Sequence, residues 1–193
     1  MDLKNILNDL ESVEYSEKIT DEYSKKLANL KVDSSYYLLL LVGPYQKGKK
    51  KFLSKVSGKT SKKIIHIDLA DVITTSEKET IQNIDHLMDN LQAEDRILLF
   101  SNADRLCGAY TGYTYSSHRY ATPQERYFLK KILKIEKIMI LDIADPYNVD
   151  ATMRRHAHQA IIFDKPKSLL AKLTWNLGNI TFHGHEFETK RPV

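Results

Sequence analysis

The chain has 193 residues, 42% of them apolar and 28% charged, a balance that excludes a disordered protein and suits one globular domain with a real core. Its longest apolar run, 36–42, is far short of the roughly 20 residues that cross a bilayer, and the acidic, amphipathic start MDLKNILNDLESVEY does not read as a secretion signal. The single cysteine, Cys107, excludes an internal disulfide and reads as a packed thiol in a reducing, cytoplasmic setting. The net charge of +4 is unevenly spread, because Lys47, Lys49, Lys50, Lys51, Lys55, Lys59, Lys62 and Lys63 crowd one stretch. Such a face suits either plain solvation or an anionic partner: nucleic acid, acidic protein or nucleotide phosphates.

Residues 1–33 carry apolar positions at helical spacing, Leu3, Ile6, Leu7, Leu10 and Val13, then Tyr23, Leu27 and Leu30, and are predicted to form an N-terminal helical segment. A core over 34–167 follows. Five β-like runs occur in it, at 36–42, 64–69, 97–100, 138–143 and 160–163. Helical patterns over 49–56, 77–91 and 123–135 lie between them, the last opened by Thr122 before Pro123. The alternation predicts an α/β fold, a five-stranded parallel sheet sandwiched by helices, since parallel strands need crossovers and bury both faces. The stretch 107–122, CGAYTGYTYSSHRYAT, reads as a long loop that either packs on itself or meets a protein or nucleic-acid partner. Residues 168–193 hold one helix-like and one strand-like stretch and read as a short appendage.

The first of these strands runs straight into Gly43-Pro44-Tyr45-Gln46-Lys47-Gly48-Lys49-Lys50, followed by a helical pattern. This is the spacing of the phosphate-binding Walker A loop, G-x-x-x-x-G-K-[ST], with its final hydroxyl residue replaced by Lys50. In such a loop backbone N–H groups turn towards phosphate, the next helix presents its positive end, and the lysine meets the outer phosphates. The hydroxyl would hold magnesium, which an ammonium, having donors only, cannot do. The partner motif is an apolar strand ending in two acids, one for magnesium and one to polarise the attacking water. At that place stand Ile97-Leu98-Leu99-Phe100-Ser101-Asn102, and neither Ser101 nor Asn102 supplies a general base or a negative charge.

Here the chain resembles the AAA+ ATPases. FSNADRL is similar to their F-D-E-A-D-x-L, Asp150-Ala151-Thr152-Met153-Arg154-Arg155 resembles their I-D-x-x-x-L-R-R, and IIFDKP resembles their final strand and proline. The section NADRLCG…SSHRYATPQERYFLKKI is further similar to AAA+ ATPases of bacterial contractile-injection gene clusters. The resemblance spans about 36–166 and implies the P-loop large-subdomain fold with its small lid reduced or absent. It implies nucleotide-binding positions at Gly43, Gly48 and Lys49, with Lys50 beside them, and arginine-finger-like positions at Arg154 and Arg155. The departures, Lys50, Ser101, Asn102 and, at the sensor position, Ala144, all fall on hydrolysis chemistry. The implied function is therefore a catalytically impaired pseudo-ATPase acting as a scaffold or regulator in a larger bacterial assembly, with protein partners and no catalytic residues. Weak binding of ATP or ADP without well-held magnesium stays open, as does a homo-oligomer. The alternatives are a slow ATPase using Asp104 or Asp145 as its acid, and a nucleic-acid-binding module using the stretch from Lys47 to Lys63.

Two histidine pairs, His156/His158 and His183/His185, alternate in sequence and would hold a metal only if they converged; solvated or packed rings are the simpler expectation. Asp68 and Asp71 read as caps of the turn after the second run.

Overall fold

The computed structural model describes residues 7, 9–31, 35–91, 96–107 and 121–164. A short strand, β1 (Ser12–Glu14), precedes helix α1 (Glu17–Asn29). Then follow β2 (Tyr37–Val42), α2 (Gln46–Lys59), β3 (Lys63–Asp68), α3 (Glu77–Asn90) and β4 (Arg96–Ser101). A 3-10 turn (Ala103–Arg105), α4 (Pro123–Ile132), β5 (Ile138–Ile143), a second 3-10 turn (Pro146–Asn148), α5 (Ala151–His156) and β6 (Gln159–Ile162) complete the described chain. The strands form one sheet in the order β1-β6-β2-β5-β4-β3, with every pairing parallel.

Side chains alternate across the strands and so build two cores. On one face Leu39, Leu41, Ile138, Ile140 and Ile161 meet Tyr23 and Leu27 of α1 and Phe52 and Val56 of α2. On the other, Leu38, Leu40, Leu98, Phe100, Met139 and Leu141 meet Ile84 and Met88 of α3, Phe128, Leu129 and Ile132 of α4, and Met153 of α5. Every residue of β2 is buried, which is why YLLLLV reads as a continuous apolar run rather than an alternating one. Polar N-caps open the helices where the chain leaves the sheet: Ser16 for α1, Ser76 for α3, Thr122 for α4 and Asp150 for α5.

The five expected apolar runs form β2 to β6, but the sheet has six strands, not five. The sixth, β1, lies in the stretch read as helical: Val13 continues the apolar spacing of Leu7 and Leu10, yet it pairs with Ile161 at the open side of β6. Three residues carry too little pattern to announce a strand, and the unpaired edge of β6 supplies the hydrogen bonds that make it one. No helix among the described residues is long and apolar enough to cross a membrane.

From β2 the chain crosses to the far edge at β3, returns through β4 and β5, and passes β2 again to reach β6. Connections therefore part at the carboxyl end of β2, the position where parallel α/β sheets open a ligand crevice. Gly43 to Lys49, Ser101, Asn102 and Ala144 all lie at this end.

Candidate functional site at the carboxyl end of the sheet

The turn from β2 to α2 is short, since α2 already begins at Gln46, ahead of Gly48. Gly43 has φ of 120°, and a Cβ placed there would come 2.4 Å from the backbone oxygen of Phe163, so only glycine fits. Five N–H groups of the turn have acceptors nearby. Gly43 N–H donates to Ile143 O (2.9 Å), Tyr45 N–H to Phe163 O (3.1 Å) and Gln46 N–H to Pro44 O (2.9 Å). Gly48 and Lys49 N–H both donate to Tyr45 O, at 3.1 and 3.2 Å. Pro44 has no N–H to offer. The ring of Tyr45 lies against Gly48, where an added Cβ would sit 2.5 Å from Tyr45 Cδ1. Tyr15, which follows β1, meets Tyr45 edge-on (5.9 Å between centroids) and stacks on Phe163 (4.7 Å). The extra strand thus delivers one member of an aromatic cluster over the turn.

Lys49 is buried, with 1% of its side chain exposed, and its Nζ donates to Asp142 Oδ1 (2.5 Å) and to Ile143 O (2.9 Å). Burial pulls its ammonium below the ordinary lysine range, while the charges of Asp142 and Asp104 oppose that shift. A phosphate-binding turn needs N–H groups and a lysine aimed at an outside anion. In this arrangement the residues do not fit a nucleotide phosphate, because these donors already have acceptors within the protein. Lys50, next along, is exposed.

At the end of β4 the register sets Ser101 opposite Asp68 of β3. Ser101 Oγ and His66 Nε2 share a hydrogen bond of 2.8 Å. Asn102, the one non-glycine residue at positive φ (54°) among those described, donates from Nδ2 to Asp68 Oδ1 (2.8 Å). The same oxygen accepts from Ala70 N–H (2.8 Å), the turn cap expected of Asp68. Asp104, a candidate replacement acid, accepts from Ala144 N–H (2.7 Å), Asp145 N–H (3.0 Å) and Asn148 Nδ2 (2.7 Å). It clamps the turn after β4 to the turn after β5. Asp145, the other candidate, is exposed and caps Tyr147 N–H (3.0 Å).

Arg154 and Arg155 sit together on α5 and part in role. Arg154 donates from Nη1 to Val149 O (2.9 Å) and is one-fifth exposed, with Asp9 3.9 Å from Nη2, whereas Arg155 is exposed. Four lysines of the stretch reach α1 and its C-cap: Lys51 pairs with Glu17 (2.5 Å), Lys55 and Lys59 with Asp21 (2.6 and 3.0 Å), and Lys62 donates to Leu30 O (2.9 Å). The hydrogen bonds from Lys55 and Lys59 hold Asp21 down at about 2. His158 accepts from Leu38 N–H through Nδ1 (3.2 Å) and stacks on Tyr37 (5.1 Å). Among the described residues no group of three or more His, Cys, Asp or Glu is placed to hold a metal ion. Residues 108–120, the 168–193 appendage and the His183/His185 pair lie outside the described residues.

Sequence reasoning passed over Asp142 and His66. The available signal was Asp142 itself, an acid inside the apolar strand IMILDI; for His66 only the strand register gives the pairing.

No known protein family matches the chain, nor does any curated protein. Among solved structures the chain is similar to a chain in the E. coli MS115-1 HORMA:CdnC:Trip13 complex, at 14% identity and a TM-score of 0.55, over 93% of this chain and 72% of that one. The likeness is one of fold: a parallel α/β sheet flanked by helices.

Proposed function

We propose that this chain is a catalytically impaired, AAA+-like pseudo-ATPase that acts through protein contacts as a scaffold or regulator. One observation carries the reading: Lys49, the residue that would meet the outer phosphates, is buried against Asp142 and the Ile143 carbonyl. Phosphoryl transfer depends on positioning and on charge around a metal. The residues at the corresponding positions, Lys50, Ser101 and Asn102, offer the metal no carboxylate. Loss of a single stabilising group commonly lowers such rates by about 10² to 10³, and several losses at one site leave little turnover. The neighbouring fold was solved within a multiprotein complex, which agrees with a role exercised through partners.

The slow-ATPase alternative is less well supported, since Asp104 already accepts three hydrogen bonds and Asp145 caps a turn. The nucleic-acid alternative is weakened by the acids of α1 that face the lysine stretch. The test is titration of a fluorescent ATP analogue with and without magnesium, beside a phosphate-release assay. The expected outcome is no magnesium-dependent turnover. Turnover that requires magnesium and disappears in Lys49→Ala would overturn the reading.

A further inference from the structure

On the other face of the sheet, at the same end, two carboxyl groups are buried together. Glu125 occupies the first turn of α4, where its N–H donates to Thr122 Oγ1 (3.0 Å); Thr122 Oγ1 in turn donates to Leu106 O (3.2 Å) beyond β4. The Glu125 side chain is fully buried, and neither of its carboxyl oxygens has a hydrogen-bond partner among the described residues. Its neighbour is Asp150, the N-cap of α5, itself 4% exposed. Asp150 Oδ1 accepts from Met153 N–H (2.8 Å), while Oδ2 is buried and likewise without a partner.

An ionised carboxylate without donors is among the most costly groups to bury, and two side by side repel as well. A single proton resolves two of the three orphaned oxygens and removes one of the two charges: on Glu125 it turns that carboxyl into a donor, for which Asp150 Oδ2 is an open acceptor. The Met153 N–H bond occupies Asp150 Oδ1 and leaves Oδ2 as its open acceptor. We propose that Glu125 and Asp150 form a proton-sharing carboxyl pair that ties the start of α4 to the start of α5 and loosens as the pH rises.

Among the described residues no charged group donates a hydrogen bond to the open oxygens of the pair. Arg126, on α4 itself, donates from Nε to Ala121 O (3.2 Å). Arg154, one turn along α5, donates from Nη1 to Val149 O and has Asp9 nearby, while its buried Nε has no hydrogen-bond partner among the described residues. From α3, packed along α4, Asp85 is held by Tyr127 Oη and Lys131. Burial first, and then the neighbouring charge of Asp150, push the Glu125 carboxyl up to about 8 from an ordinary 4.5, against smaller opposing effects of the Thr122 backbone and the Arg126 charge. The folded chain keeps a proton that the unfolded chain has lost between these values. Stability therefore falls as pH rises through that window, by about tenfold in the unfolding equilibrium constant per pH unit, and levels off above it.

The pair lies on the opposite face of the sheet from Lys49, and two measurements on the full chain test the proposal. Urea unfolding from pH 5 to 9 compares the wild type with Glu125→Gln, a side chain of the same shape that carries its donor at every pH. The variant is expected to be more stable at pH 7, by about a hundredfold or more in the unfolding constant, with the difference closing towards pH 5. A variant less stable than the wild type at pH 7, or a difference that does not change with pH, overturns the proposal. Infrared spectra of the wild type need no variant to fold: a carboxylic-acid carbonyl band is expected to persist at pH 7 and to fade near pH 8. Its absence at pH 7 overturns the proposal equally.

Discussion

Replacing Asp142 by leucine removes the only side-chain acceptor of Lys49 Nζ among the described residues and leaves the ammonium with the Ile143 carbonyl alone. With 1% of the side chain exposed, Lys49 cannot turn to water without opening the core. Its alternative is to release the proton. From an ordinary 10.5 this costs about 5 kcal/mol at pH 7, at 1.36 kcal/mol per unit, which sets the upper bound. Breaking buried ion pairs by removing one partner costs about 3 to 5 kcal/mol, in agreement with that bound. Lys49→Met should cost less, because Asp142 is 16% exposed and keeps some contact with water. The double variant Lys49→Met/Asp142→Leu, which removes both charges, should recover most of the loss. Urea unfolding of the four proteins at pH 7 gives the coupling directly. In Asp142→Leu the folded chain holds Lys49 neutral while the unfolded chain holds it charged, so its deficit should shrink as pH rises from 7 to 9, by about 1.4 kcal/mol per unit. If Lys49→Met leaves stability unchanged and instead abolishes binding of an ATP analogue, the lysine serves phosphate and the reasoning fails.

Other substitutions probe the same end of the sheet. Gly43→Ala meets both a positive φ and the Phe163 oxygen, so a loss above about 2 kcal/mol is expected by thermal or urea unfolding; a neutral result would mean that the β2–α2 turn is built differently. Asp104→Ala removes the acceptor of two backbone N–H groups and of Asn148, and is expected to cost about 1 to 3 kcal/mol. Faster amide exchange at Ala144 and Asp145 than in the wild type should accompany it, and unchanged exchange would remove the clamp from the account.

Much of the layering was legible because it rests on local pattern. Runs such as YLLLLV and IMILDI are too short and too uniformly apolar for surface helices, and the amphipathic stretches between them oblige parallel crossovers. The sixth strand was not legible, since the spacing of Leu7, Leu10 and Val13 suits a helix as well and β1 exists only through its pairing with β6. The expected start of α2 near Lys49 was also late. The glycine-lysine spacing suggested an open loop, whereas the helix begins at Gln46 and closes its N–H groups on Tyr45.

The candidate site divides along the same line. Residue identity alone determined that Lys50, Ser101 and Asn102 bring no carboxylate to a metal and that Gly43, Gly48 and Lys49 stand in phosphate-loop spacing. Only the tertiary structure decided what Lys49 does, because Asp142 lies on β5 and reaches it across the β2–β5 pairing. A motif records which donors a turn possesses. Where each donor finds its acceptor depends on strand order and register, and here the acceptors lie inside the fold.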